Sequence, residues 1–146
     1  MTPRSHGGRT PRQSIEAECE LRGRDAFVAD CVRLINGSAP DPALLMALGG
    51  PGAAKFLDGG PNEDTYWIRV WAARGLLWVW DDSVVDAVAV ALGDEAWRVR
   101  EMAAKVVARH LVGDAMSQIA ELRDDPVPRV RAAAHRAMAR LTAEGA

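Results

Sequence analysis

Aromatic side chains make up only 5% of this 146-residue chain, with two cysteines and three histidines. Each scarcity removes a class of explanation. Cys19 and Cys31 stand at a spacing that matches no zinc or redox motif, so they read as free thiols. Cys31 falls among Phe27, Val28, Leu34 and Ile35 on one helical face, where a small buried thiol accounts for it. His110 shares an apolar face and reads as a core residue, His135 reads as exposed, and His6 lies near the start of the chain. None has a Cys, Ser or carboxylate partner whose proximity spacing guarantees, so no catalytic residue is named. Gly49-Gly50-Pro51-Gly52 and Gly59-Gly60-Pro61 lack a phosphate-binding pattern and mark turns at helix junctions. The opening 20 residues lack the apolar run of a signal peptide, and no later run reaches the length of a membrane span. A cytoplasmic protein with no membrane partner, no metal and no cofactor is the expectation.

What is abundant is alanine, dense in the second half, where it favours closely packed helices over strands. The length suits one domain. A net charge of −2 argues against wholesale attraction to nucleic acid or acidic membranes, yet it hides an asymmetry. Between Trp97 and Arg140 there are nine Lys/Arg against five Asp/Glu, while residues 1–96 carry nine against fourteen. The C-terminal part is locally basic.

A motif recurs at a fixed offset of 31 residues. Ile68-Arg69, Val99-Arg100 and Val130-Arg131 share a register; Ala72, Ala103 and Ala134 follow, and the acids Glu63, Asp94 and Asp125 precede. Ala54, Val85 and Met116 keep the same period, as do Leu57, Val88 and Ile119, so both halves of a helical hairpin repeat. The longer second helices are predicted near Thr65–Trp80, Ala96–Val112 and Val127–Ala143, with Pro126 and Pro128 marking the start of the last. Ahead of the repeats, Phe27 to Ile35 has helical periodicity closed by Asn36-Gly37, and Asp41-Pro42 opens a short helix through Leu44, Leu45 and Leu48. Residues 1–22, rich in Arg, Gly, Pro, Ser and Thr, read as a disordered tail.

The pattern Asp94-x-x-x-x-Val99-Arg100-x-x-Ala103-Ala104, with its two relatives, resembles the HEAT repeat of the short bacterial type also found in bilin lyases. The likeness covers residues 51–143. It implies an all-α fold, an α-solenoid of about three hairpins (51–81, 82–112 and 113–143) behind capping helices at 23–50, within one domain over 23–146. It also implies a structural ladder between adjacent repeats, made by Glu63, Asp94 and Asp125 with Arg69, Arg100 and Arg131.

Sorting positions at about 100° per residue separates a core face from a wet one. With Arg98 at zero, Val99, Met102, Ala103, Val106, Val107 and His110 span roughly 40° to 180°. Arg98, Lys105 and Arg109 cluster opposite, with Glu101 beside them as the single negative charge. Steps of 31 residues then predict three columns: Trp67/Arg98/Arg129, Arg74/Lys105/Arg136 and Trp78/Arg109/Arg140. The resemblance puts second helices on the concave side of the stack, which makes these nine residues candidates for a basic, partner-binding face. The competing account is an ordinary charged, solvated helix surface. Trp67, Trp71 and Trp78 form an aromatic stripe that the helices from Arg24 to Gly49 are expected to cover, and Trp80 and Trp97 are expected to pack between units.

The function expected is therefore a non-enzymatic protein-interaction scaffold that takes an acidic or otherwise anionic partner on this face. The alternative is a nucleic-acid-binding protein related to HEAT-like alkylpurine DNA glycosylases, suggested by Trp78 and Asp82, four residues apart, although those two also read as a core indole and a helix cap. Bilin-lyase-like chemistry on a small molecule has no support beyond the resemblance.

Overall fold

The computed structural model describes residues 9–57 and 63–145, which are helices joined by turns and short irregular links, with no strand among them. Eight α-helices run in chain order: α1 Pro11–Arg22, α2 Arg24–Ile35, α3 Pro42–Gly49, α4 Tyr66–Trp78, α5 Val85–Leu92, α6 Trp97–His110, α7 Met116–Leu122 and α8 Pro128–Gly145. Among the described residues, no helix is long and apolar enough to cross a membrane.

The 31-residue period survives folding. Helices α4, α6 and α8 begin at Tyr66, Trp97 and Pro128, and α5 and α7 at Val85 and Met116, each after a 3-10 turn at Asp82–Val84 or Gly113–Ala115. Helix α6 packs between α4 and α8, with α5 against α6 and α7 against α8. Small residues permit the close approach: Ala72, Ala103 and Ala134 are all fully or almost fully buried, and Val99, Val106 and Val107 fill the space around them.

Ion pairs link successive units at one repeated offset. Arg69 donates to both carboxylate oxygens of Asp94 at 2.7 and 3.1 Å, and Arg100 likewise to Asp125 at 2.8 and 3.1 Å. Each aspartate also accepts from the backbone two residues on, Asp94 from Ala96 at 2.8 Å and Asp125 from Val127 at 2.9 Å. One carboxylate thus orders the entry to its own helix while holding the arginine of the preceding unit. The outer members of the expected ladder behave differently. Glu63 is exposed, and Arg131 donates to the backbone carbonyl of Asp125 at 2.7 Å.

The N-terminal region departs from expectation twice. Pro11–Arg22 is a helix where a tail is predicted. Thr10 caps it in a reciprocal box, accepting from the Gln13 amide at 3.1 Å while the Gln13 side chain accepts from the Thr10 amide at 2.9 Å. Ile15 is fully buried against the core, and Arg22 engages Glu18, Asp30 and Asp41, which ties α1 to α2 and to the cap of α3. Residues 1–8 of the predicted tail, with His6, lie outside the described residues, as do Gly59-Gly60-Pro61. The predicted helix ends nearby hold: Gly37 takes φ +96° after α2, and Asp41 accepts from the Leu44 amide at 2.8 Å.

The second departure concerns the first hairpin. Gly50–Phe56 forms a 3-10 segment instead of an α-helix, and Leu57 is 46% exposed where its counterparts Val88 and Ile119 are 2% and 0%. Gly50, Pro51 and Gly52 disfavour a regular helix there. Helix α2 takes the place instead, packing along α4 and touching α5, much as α5 packs along α6 and touches α7. It brings Phe27, Val28, Cys31, Leu34 and Ile35, all buried, to do so.

At Gly75 α4 lies close to both α2 and α3. A β-carbon there would stand 3.1 Å from Leu48 Cδ2 and 3.2 Å from Cys31 Sγ. Its counterparts at the 31-residue offset, Val106 and Ala137, are buried side chains. Gly75→Val, which copies the next unit, is expected to cost about 2 kcal/mol through overpacking, read as a shift in the midpoint of urea denaturation at unchanged slope. An unshifted midpoint would mean that α4 does not lie this close to its neighbours.

Candidate functional site

Helices α6 and α8, with the last turn of α4 beside α6, line a trough of about 680 Å³. Five of the nine residues predicted for partner binding line it: Trp78, Lys105, Arg109, Arg136 and Arg140. Its floor is apolar, built from Leu77, Ala108 and Ala139 with Ala133 and Ala143. The first three are again 31 residues apart and stand one position before the Trp78/Arg109/Arg140 column. Sequence reading missed this floor, although the same period carries it, because small apolar residues beside a cationic stripe do not stand out in an alanine-rich chain.

No carboxylate is among the described residues lining the trough. Arg136 and Arg140 are exposed; Arg109 is exposed too, steadied by an Nε–H bond of 3.1 Å to the Leu77 carbonyl. Lys105 is half-buried with its Nζ 3.9 Å from Glu101, at the outer limit of an ion pair and beyond hydrogen-bond distance. The neighbouring His110 is satisfied, as expected for a core residue: its Nε2 lies 2.8 Å from the Leu76 carbonyl and its ring stacks on Trp80 at 4.4 Å. Burial holds the His110 pKa below the usual imidazole range, against the opposing pull of backbone bonds to Leu76 and Leu77.

The other four predicted residues lie elsewhere. Arg74 shares its helical angle with Lys105 and Arg136 but turns to α3, donating to the Leu48 carbonyl at 2.6 Å, with its Nε buried and unpartnered. Desolvation pulls its pKa down, the mark of a guanidinium removed from water. It is not part of the basic face, because the N-terminal helices occupy the side of α4 that would expose it. Trp67, Arg98 and Arg129 are joined through Trp97 in a cation–aromatic series nearer the helix starts. The Arg98 guanidinium lies 5.3 Å from the Trp67 ring and 4.3 Å from the Trp97 ring, and the Arg129 guanidinium lies 5.3 Å from the same Trp97 ring. Arg129 also meets Glu101 at 3.0 Å. Glu101, expected on the wet stripe, is only 8% exposed and neutralises this end.

The tryptophan stripe is covered unevenly. Trp71 lies under the 3-10 segment and α3, edge-on to Phe56 at 5.8 Å and against Gly49, and it stacks with Trp67 at 6.1 Å. Trp78 remains half-buried, one wall of the trough and also a wall of a smaller cavity beside Glu16, Cys19 and Glu20. Trp80 and Trp97 join units as expected, through His110 and Arg129. Asp82 accepts from the Trp80 indole at 3.0 Å and is absent from the trough lining, so the carboxylate predicted to accompany Trp78 is engaged by a different indole, and the helix-cap role falls to Asp81, which accepts from the Ser83 amide at 2.8 Å. Both cysteines are free thiols; burial pushes that of Cys31 up to about 12, which removes it from thiolate chemistry at neutral pH. Compared with protein-family models, with curated proteins and with solved structures, the chain matches none.

Proposed function

We propose that this chain is an α-solenoid of HEAT-like hairpins and a non-enzymatic interaction scaffold whose trough takes an acidic segment of a partner protein. The common starts of α4, α6 and α8 and the two Arg–Asp links of equal offset support the solenoid reading. One observation carries the function: Lys105, Arg109, Arg136 and Arg140 surround an apolar floor. Arginine suits the role because its planar fork binds a carboxylate through two parallel hydrogen bonds, and an apolar floor lowers the dielectric beneath them. The groups that a reaction would draw on nearby are already engaged, His110 by Leu76 and Trp80, and Asp82 by Trp80.

The test is a fluorescence-anisotropy titration with a labelled glutamate-rich peptide, set beside a DNA duplex. Arg136→Ala with Arg140→Ala is expected to weaken the peptide about tenfold, near 1.4 kcal/mol for two exposed charge-assisted contacts. Unchanged peptide affinity in the double variant would refute the site. Tighter binding of the duplex, falling steeply with salt, would transfer the face to nucleic acid.

A further inference from the structure

We infer that the occupant of the trough is an amphipathic helix of the partner, with a narrow apolar stripe against the alanine floor and acidic residues four apart along both margins. The inference rests on the acidic-partner reading and narrows it to one conformation.

The first argument is the backbone. The floor consists of Leu77, Ala108, Ala133, Ala139 and Ala143, side chains with no hydrogen-bonding group. An extended segment pressed onto it would bury amides for which the lining side chains, Lys105, Arg109, Arg136, Arg140 and Trp78 among them, offer no acceptor. A helix satisfies its backbone internally and brings only side chains to the floor.

The second argument is register. Lys105 and Arg109 stand four residues apart on α6, as do Arg136 and Arg140 on α8, so each margin carries two cations about 6 Å apart along its helix. A docked helix lying along the trough repeats at the same rise, so acids at i and i+4 fall opposite both cations of a margin together. From Ala133 to Ala143 the wall on α8 runs about 15 Å, or roughly three turns of a bound helix. Alanine along the floor allows an incoming helix to approach toward the short end of the ordinary 8–10 Å packing range, estimated from helix–helix geometry at about 8 Å. Trp78, in register with Arg109 and Arg140, adds a flat apolar face on the α4 side of the lining.

Three labelled peptides of equal net charge separate the possibilities: a helix-forming peptide of about 14 residues, long enough to span roughly 21 Å, the same peptide with two central prolines, and an oligoglutamate. The helical peptide is expected to bind the wild type about tenfold more tightly than its proline form. Ala108→Trp, a half-buried position on α6 whose filling obstructs the groove between the two helices, is expected to weaken the helical peptide about tenfold and the flexible oligoglutamate by much less. Thermal denaturation of the variant checks that its fold is intact. Equal affinity for the helical and proline peptides, both weakened by Arg136→Ala with Arg140→Ala, would overturn the helix and leave the acidic partner standing. Failure of all three peptides to bind would overturn both.

Discussion

Asp125→Ala is expected to lower the stability of this protein by about 3 kcal/mol, the cost typical of leaving one partner of a buried ion pair unmatched. The Asp125 side chain is 5% exposed and that of Arg100 15%, so water cannot readily replace the lost carboxylate. Three hydrogen bonds go at once: two from the Arg100 guanidinium and one from the Val127 amide at the entry to α8. In a chain of this size the loss corresponds to a fall in Tm of roughly 6–12 °C. A change below about 1 kcal/mol in urea denaturation would place this pair among surface ion pairs of little consequence. The same residue sets an acid limit. Burial raises the Asp125 pKa, but the hydrogen bonds from Arg100 and Val127 and the nearby positive charges outweigh it, so the net displacement is downward. A carboxylate whose folded pKa lies below its unfolded value of about 4 contributes its full stabilisation above that pH and loses it as pH falls through the folded value. Asp41, held low chiefly by Arg22, acts in the same sense. Stability should therefore fall below about pH 4, and Asp125→Asn should flatten part of that fall while the Asp41 share persists.

Ile15→Ala should cost about 3 kcal/mol, because a fully buried branched side chain leaves both lost transfer energy and a cavity. Leu21→Ala, six residues later and 83% exposed, should stay within about 0.5 kcal/mol. A tail would be indifferent to both substitutions, so the contrast between them, read by urea denaturation, decides whether α1 belongs to the fold. Deleting residues 1–22 should do more than either point change. It removes Ile15 from the core and strips Asp41 of its guanidinium partner Arg22, while Asp30 loses Arg22 but keeps Arg33. Equal stability of Ile15→Ala and the wild type would detach α1 from the body.

The evidence for α1 was within reach of a sequence reader. Thr10-Pro11-x-Gln13 has the residue types of a capping box with proline at the first helical position. Local composition argued for disorder because only one of the large apolar residues in the segment, Ile15, meets the core, and a single anchor is invisible to periodicity. Glu101 shows a different gap. Its angle beside Arg98 and Lys105 marks it as wet, yet Arg129 and Lys105 close over it from the next unit and from its own helix, and a rotation angle says nothing about which long side chains fold across a position.

Hydrophobic periodicity and the 31-residue offset were enough to determine that the chain is helical, where α4, α6 and α8 start, and which side of each faces the core. Those properties depend on interactions within a helix and between equivalent units, so they are written once per repeat. Only the tertiary structure decided which cations stay in water. Arg74, Lys105 and Arg136 share one angle; yet α3 covers the first, while the second and third open on the trough. The physical reason is that α6 packs between two helices of like sequence whereas α4 meets α2 and α3 on one side, so residues at the same 31-residue offset have different surroundings once the chain has folded.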